Sequence, residues 1–215
     1  MMQLHYFPGN ASMIPHILLE ELGGEFELRH VDRTASEHKS AAYLQLNPNG
    51  LIPVLVNGNL VLYETAAICL HLVDTHPTAG LAPPPGTPER AHFYKWLMWL
   101  TNTVQATLLL YFYAERWVDA GNGVAAGQVR LHAEAKVGGM LHQIDAHLAA
   151  HAKDWFLGER YSALDPYALV LCRWTRGFAR PARSLPHLGP YLARMLARPA
   201  VQRVLASEQL PPPFV

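Results

Sequence analysis

The chain has 215 residues, half of them apolar, and its 17 basic side chains balance 17 acidic ones. That length buries a sizeable core as one domain or two small ones, and the balanced charge argues against a nucleic-acid or polybasic membrane-surface partner. The first residues, MMQLHYFPGN, lack a signal peptide's apolar core, and no apolar run is long enough to span a bilayer, so the expectation is a cytoplasmic globular protein. Cys69 and Cys172 both fall in apolar helical patterns and read as buried reduced thiols, not a disulfide.

Leu4 to Phe7 reads as a short strand ended by Pro8-Gly9. From Met13, Ile14, Ile17, Leu18 and Leu22 recur at helical spacing until Gly23-Gly24 stops the segment. Phe26 to Val31 is a second strand, and two strands joined by a helix imply a parallel crossover. A weaker helical stretch, Ser40 to Leu46, precedes the turn Asn47-Pro48-Asn49-Gly50. A hairpin follows, its first strand beginning at Pro53 and Asn57-Gly58 at its tip. Thr65 to His76 is apolar nearly all round, which predicts a buried helix stopped by Pro77.

A Pro/Gly-rich segment without periodicity then forms a linker, placed at 79–87. The pattern beyond it is helical. Glu89 to Trp117 and Val124 to Ala152 read as two long helices. Ser162 and Asp165 form a capping box, with Asp in place of Glu or Gln, opening a helix towards Gly177. Shorter helices are expected over Pro190 to Ala197 and Ala200 to Ser207. The expected fold is a β-α-β-α-β-β-α domain at 1–78 followed by an all-α domain at 88–215.

The order of these elements, the segment NPNGLIPVL, the helix start LYETAAI, the proline linker and FLGERYSALDPYAL together resemble the cytosolic glutathione transferases. PGNASMIPHILLEELG is similar to the loop and first helix of their bacterial, beta-like members. The resemblance covers nearly the whole chain. It implies a thioredoxin-like α/β domain that binds glutathione as co-substrate, an all-α second domain, and no metal. It also implies a homodimer, and attack of the glutathione thiol on small hydrophobic electrophiles, with peroxide or disulfide reduction as a variant. The alternative is a non-catalytic protein of the same fold that binds a ligand or a protein.

Carried over residue by residue, the resemblance implies a cis bond between Ile52 and Pro53. The backbone of Ile52 then pairs with the cysteinyl amide of glutathione as an added strand would. Without it, Pro53 simply begins a strand. Glu64 and Thr65 match the family's acid-hydroxyl pair, offering a partner for the γ-glutamyl ammonium and a helix N-terminus for its carboxylate; Thr65 also serves as an ordinary N-cap. Lys39 is the basic candidate for the glycyl carboxylate, or a solvated lysine.

The thiol must be a thiolate near neutral pH, and a donor bonded to the sulfur favours the charged form. Beta-like relatives carry a cysteine in the first loop, where this chain has Ala11. Three neighbours are candidates for the role: Ser12 first, then Asn10, then Tyr6. Ser12 is equally an N-cap, with Pro15 tolerated in the first turn, and Tyr6 is equally a core aromatic. The electrophile is expected between the domains, with Trp99, Gln105, Tyr111, Tyr113 and Trp117 as candidate lining. Gln105 stands where several relatives carry a histidine. Aromatics at this spacing also suit a core or a dimer contact. His147 and His151 share a helix face, but no third metal ligand has an obvious register.

Overall fold

In the computed structural model, which describes Met1–Val215, the first strand β1 (Met2–Tyr6) runs parallel to β2 (Phe26–His30) and antiparallel to β3 (Val54–Asn57). Strand β4 (Leu60–Tyr63) completes a sheet of order β2-β1-β3-β4. The parallel pairing of β1 and β2 follows from the crossover through helix α1 (Met13–Leu22), which ends on Gly23 in the left-handed conformation, its N–H donating to Leu19 O. In the β3–β4 hairpin, Asn57 pairs with Leu60. The two-residue tip is therefore Gly58-Asn59, one step beyond the expected Asn57-Gly58, with Gly58 at φ +58°.

Two compact units emerge from the contacts. The first gathers Met1–Pro84 and Met195–Pro212; the second gathers Pro85–Arg194 and Pro213–Val215. In the first unit, helices α2 (Ala41–Leu46) and α3 (Thr65–Thr75) accompany the sheet, and α9 (Pro199–Ser207) packs on α1. Chain order alone assigns 88–215 to one domain, whereas α9 sits in this first unit. Its return explains why every residue from Met13 to Leu19 is buried, more than a one-sided apolar stripe requires. Arg198 grips Glu21 through Nε and Nη2 at 2.7 and 2.9 Å, and Arg203 pairs with Glu20. On α3, Ile68, Cys69, Leu72 and Val73 are buried, but Ala66, Ala67 and Leu70 are only partly covered, so the helix is less enclosed than its composition predicts.

The second unit is helical. The expected single helix 89–117 is α4 (Pro88–Trp99), a π-helical stretch Leu100–Gln105, α5 (Ala106–Phe112) and a 3₁₀ turn Ala114–Trp117. Widened turns of this kind recur at functional sites. Helix α6 (Gly123–His151) packs along α5. Helix α7 (Leu164–Trp174) is buried from Leu164 to Arg173, and α8 (Leu188–Leu196) follows. The capping box forms as read. Asp165 Oδ2 accepts the Ser162 N–H at 2.7 Å, and Ser162 Oγ accepts the Leu164 N–H at 3.3 Å. Asp165 Oδ1 further accepts from the Phe156 N–H and the Tyr191 hydroxyl. Burial nevertheless raises its carboxyl to about 6. Both cysteines are buried and unpaired. No helix is long and apolar enough to cross a membrane.

Candidate functional site

The register of the sheet brings the candidate residues of the first unit to one end. Val54 lies opposite both His5 and Tyr63. The end of β1 that leads into loop 7–12, the Ile52-Pro53 step that leads into β3, and the end of β4 that leads to Glu64 are therefore neighbours. Strand pairing, not sequence proximity, assembles them.

The Ile52–Pro53 bond is cis, as the resemblance implies. The β3 ladder starts only at Val54, and neither the N–H nor the C=O of Ile52 makes a hydrogen bond. Unpaired backbone groups in the extended segment that leads into a strand are what an extended peptide can pair with, as an added strand would. The Ile52 side chain is anchored beneath, in a cluster with Val31, Tyr43 and Val54.

Glu64 caps α3 with φ +71° and ψ 114°, a conformation uncommon for a residue with a side chain, and such strain gathers at functional positions. The first intrahelical bond of α3 runs from Ile68 N–H to Glu64 O at 3.0 Å, so the N–H groups of Thr65, Ala66 and Ala67 are unpaired. The cap is thus Glu64, not Thr65. The Glu64 carboxylate is exposed and makes no capping bond, while Thr65 is buried as the first helical residue. Three free donors and the positive end of the helix have the chemistry to accept a carboxylate, and the Glu64 carboxylate beside them that to accept a cation.

Lys39 Nζ donates to Asn49 O at 3.2 Å across Gly50. A Cβ on Gly50 would sit 2.7 Å from that nitrogen and 2.8 Å from His38 O, and Gly50 has φ +58°, so glycine is required twice over. The lysine is exposed and lies against the turn that leads to Ile52.

Loop 7–12 uses its polar groups unevenly. Ser12 is fully buried and in helical conformation, with no capping bond. Its Oγ accepts the Phe7 N–H at 3.2 Å and donates to Phe7 O at 3.1 Å, closing the loop. Asn10 Oδ1 accepts the Ala11 N–H, which leaves the Nδ2 amide free to donate. Tyr6 packs beside His16 and His30 with its hydroxyl uncommitted. Burial first, then the Glu208 carboxylate, raise its phenol further above the ordinary range, so it remains a donor.

Two residues here were not among those the sequence singled out. Glu208, just beyond α9, accepts the Gly9 N–H at 2.7 Å and meets His16 Nδ1 at 2.8 Å, both side chains buried. Their separation along the chain hides the pairing; only the unusual polarity of a histidine inside the apolar α1 pattern hints at it.

Of the candidates in the second unit, Gln105 lies at the end of the π-helical stretch. Its Oε1 accepts from the buried Tyr167 hydroxyl at 2.6 Å, and Thr101 bonds the same hydroxyl. Trp99 packs edge-on to Trp96, Tyr111 against Phe178, and Tyr113 under the Arg116 guanidinium, while Trp117 is exposed. His147 and His151 lie edge to face at 5.0 Å, with His147 Nε2 2.7 Å from Phe156 O. No group of three or more histidine, cysteine or carboxylate side chains is placed to hold a metal ion.

The family described as "Glutathione S-transferase, N-terminal domain" matches residues 2–74. A glutathione S-transferase of Xanthomonas campestris is 31% identical over 97% of this chain and 100% of that protein. Among solved structures, a glutathione S-transferase from Xylella fastidiosa is 30% identical, with a TM-score of 0.88 over 98% of this chain and 100% of that one. A sphingomonad glutathione S-transferase solved with glutathione is 29% identical, with a TM-score of 0.83 over 97% and 100%.

Proposed function

This chain belongs to the glutathione S-transferase family, and we propose that residues at one end of its sheet hold glutathione and lower the pKa of its thiol. It is a glutathione transferase with a thioredoxin-like first domain. The observation that carries the site is the convergence of the unpaired Ile52 backbone with the unpaired first-turn N–H groups of α3. Ile52, ahead of Pro53, takes the cysteinyl amide; Thr65 and the two N–H groups after it take the γ-glutamyl carboxylate; Glu64 takes the ammonium; Lys39 takes the glycyl carboxylate.

Loop 7–12 supplies the donor to sulfur. Ser12, Asn10 and Tyr6 all border it, and their hydrogen bonds now favour Asn10, whose amide is free, over Ser12, whose proton is committed to Phe7 O. A donor to the thiolate lowers the thiol pKa. The thiol proton leaves to solvent, the sulfur lone pair forms a C–S bond to an electrophilic carbon, and the displaced group leaves with its electron pair. Small hydrophobic electrophiles, a role in detoxification, a homodimer and a cytoplasmic setting complete the proposal. A cradle with this many unpaired donors argues for a ligand-binding site over a purely scaffolding role.

Calorimetric titration with glutathione tests the site. Saturable binding, weakened tenfold or more by Glu64→Gln, is the expected result. Wild-type protein that does not bind glutathione contradicts it.

A further inference from the structure

The Ile52 N–H belongs to the same planar peptide unit as the Leu51 C=O, and in a trans peptide the two point in opposite directions. Whatever fixes that oxygen therefore aims that N–H. Leu51 O accepts two side-chain hydrogen bonds, from the Tyr43 hydroxyl at 2.9 Å and from Asn47 Nδ2 at 2.8 Å. Two donors engage both lone pairs of one carbonyl. The Leu51 side chain is 55% exposed and gives the segment little packing of its own, so the oxygen is the anchor.

Both donors are themselves fixed. Tyr43 is buried on α2, its backbone N–H donates to the Ser40 N-cap oxygen at 3.2 Å, and the His5 ring meets it edge-on at 5.9 Å. Asn47 is buried at the end of α2, and its Oδ1 accepts the Asn49 N–H at 3.0 Å, which leaves Nδ2 turned to Leu51. On the far side, Val54 is locked into the ladder with His5 and Tyr63. The peptide between residues 51 and 52 is thus pinned from α2 on one side and from β3 on the other, while Ile52 keeps its own groups unpaired.

We propose that Tyr43 and Asn47 are positioning residues for glutathione, orienting the Ile52 N–H towards the cysteinyl carbonyl without touching the ligand. This rests on the glutathione site proposed above. Because the clamp acts on the peptide-binding segment before β3 and not on loop 7–12, it sets affinity for glutathione and leaves the thiolate chemistry alone.

The test is steady-state kinetics with glutathione varied, together with the pH dependence of the bound thiolate absorbance, on wild type, Tyr43→Phe, Asn47→Asp and Val31→Ala. Val31 lies in the same cluster as Tyr43 and Ile52 but makes no part of the clamp, so its variant reports what loss of stability alone does. Tyr43→Phe is expected to raise the KM for glutathione about 3- to 10-fold, one hydrogen bond's worth, with kcat within about twofold and the thiol pKa unchanged. Asn47→Asp, which replaces the donor by a repelling oxygen, raises it at least as much. Val31→Ala lowers the melting temperature and leaves KM alone. An unchanged KM in Tyr43→Phe, an equal rise in Val31→Ala, or a shifted thiol pKa in Tyr43→Phe overturns the clamp while the glutathione site stands. Wild-type rates that do not saturate with glutathione overturn both.

Discussion

His16 Nδ1 and Glu208 Oε1 lie 2.8 Å apart, both buried, although 192 positions separate them. The second oxygen of Glu208 accepts the Gly9 N–H, so one carboxylate from beyond α9 ties the first helix to loop 7–12. Glu208→Ala removes the one carboxylate that a buried imidazole nitrogen and a loop N–H share. Loss of about 3 kcal/mol of unfolding free energy is expected, the usual cost of breaking a buried polar pair. Urea denaturation measures it, and a cost under about 1 kcal/mol, that of an exposed pair, contradicts the buried role.

Ser12 and Asn10 are expected to separate into different functions. Ser12→Ala removes both bonds to Phe7 and should cost about 1–2 kcal/mol of stability, with the thiol pKa of bound glutathione little changed. Asn10→Ala should do the reverse, raising that pKa and lowering kcat/KM at neutral pH about tenfold. A thiol pKa that moves with Ser12→Ala and not with Asn10→Ala restores the serine as activator.

The strained cap offers a test that sets stability against binding. Glu64→Gly places glycine at φ +71°, where it is at home, and should stabilise the first unit by up to about 1 kcal/mol. It also removes the carboxylate proposed to hold the ammonium, so the KM for glutathione should rise. Thermal melting and kinetics on the same sample check both; a variant that binds as wild type removes Glu64 from the site.

The histidines of α6 predict acid sensitivity. Burial above all, then His151, Lys95 and His92, lower the pKa of His147, against the opposing pull of the Phe156 carbonyl. Burial and Lys153 lower His151 likewise. A folded pKa below the unfolded value of 6.5 means that the unfolded chain binds the proton first. This contribution to stability is therefore present above pH 6.5 and lost as pH falls below it. Asp165, raised to about 6, acts in the opposite sense, favouring the folded state as pH drops. The difference between wild type and His147→Gln isolates the imidazole. Urea midpoints at pH values of about 7.5 and 5.5 should fall less for the variant than for wild type; an equal fall would count against His147.

Local signals made much of the fold legible. Gly23 after the α1 stripe, the Asn-Pro-Asn-Gly turn and the Ser162–Asp165 box each fix backbone within a few residues, and each appears in the structure. The π-helical stretch at Leu100–Gln105 was not legible, because one widened turn barely disturbs an apolar pattern. The return of α9 to the first unit is a matter of long-range packing, announced only by charges on both helices that happen to match. The same limit applies to the site. Ile52 and Glu64-Thr65 belong to a contiguous motif and could be read directly. Glu208, and the Tyr43 hydroxyl on the Leu51 carbonyl, depend on which backbone atoms face which side chains, and no periodicity encodes that. Ser12 illustrates the converse, a residue with a cap's composition whose hydroxyl turned back onto Phe7.

If residues at one end of the sheet activate bound glutathione, its thiol is more acidic on the protein than in water. Ultraviolet absorbance of the thiolate, followed as pH is raised with glutathione bound, measures that acidity. A band that titrates at least one pH unit below that of free glutathione, and shifts upward in Asn10→Ala, is the predicted result. A band that titrates with free glutathione, at concentrations where calorimetry shows the site filled, would contradict it.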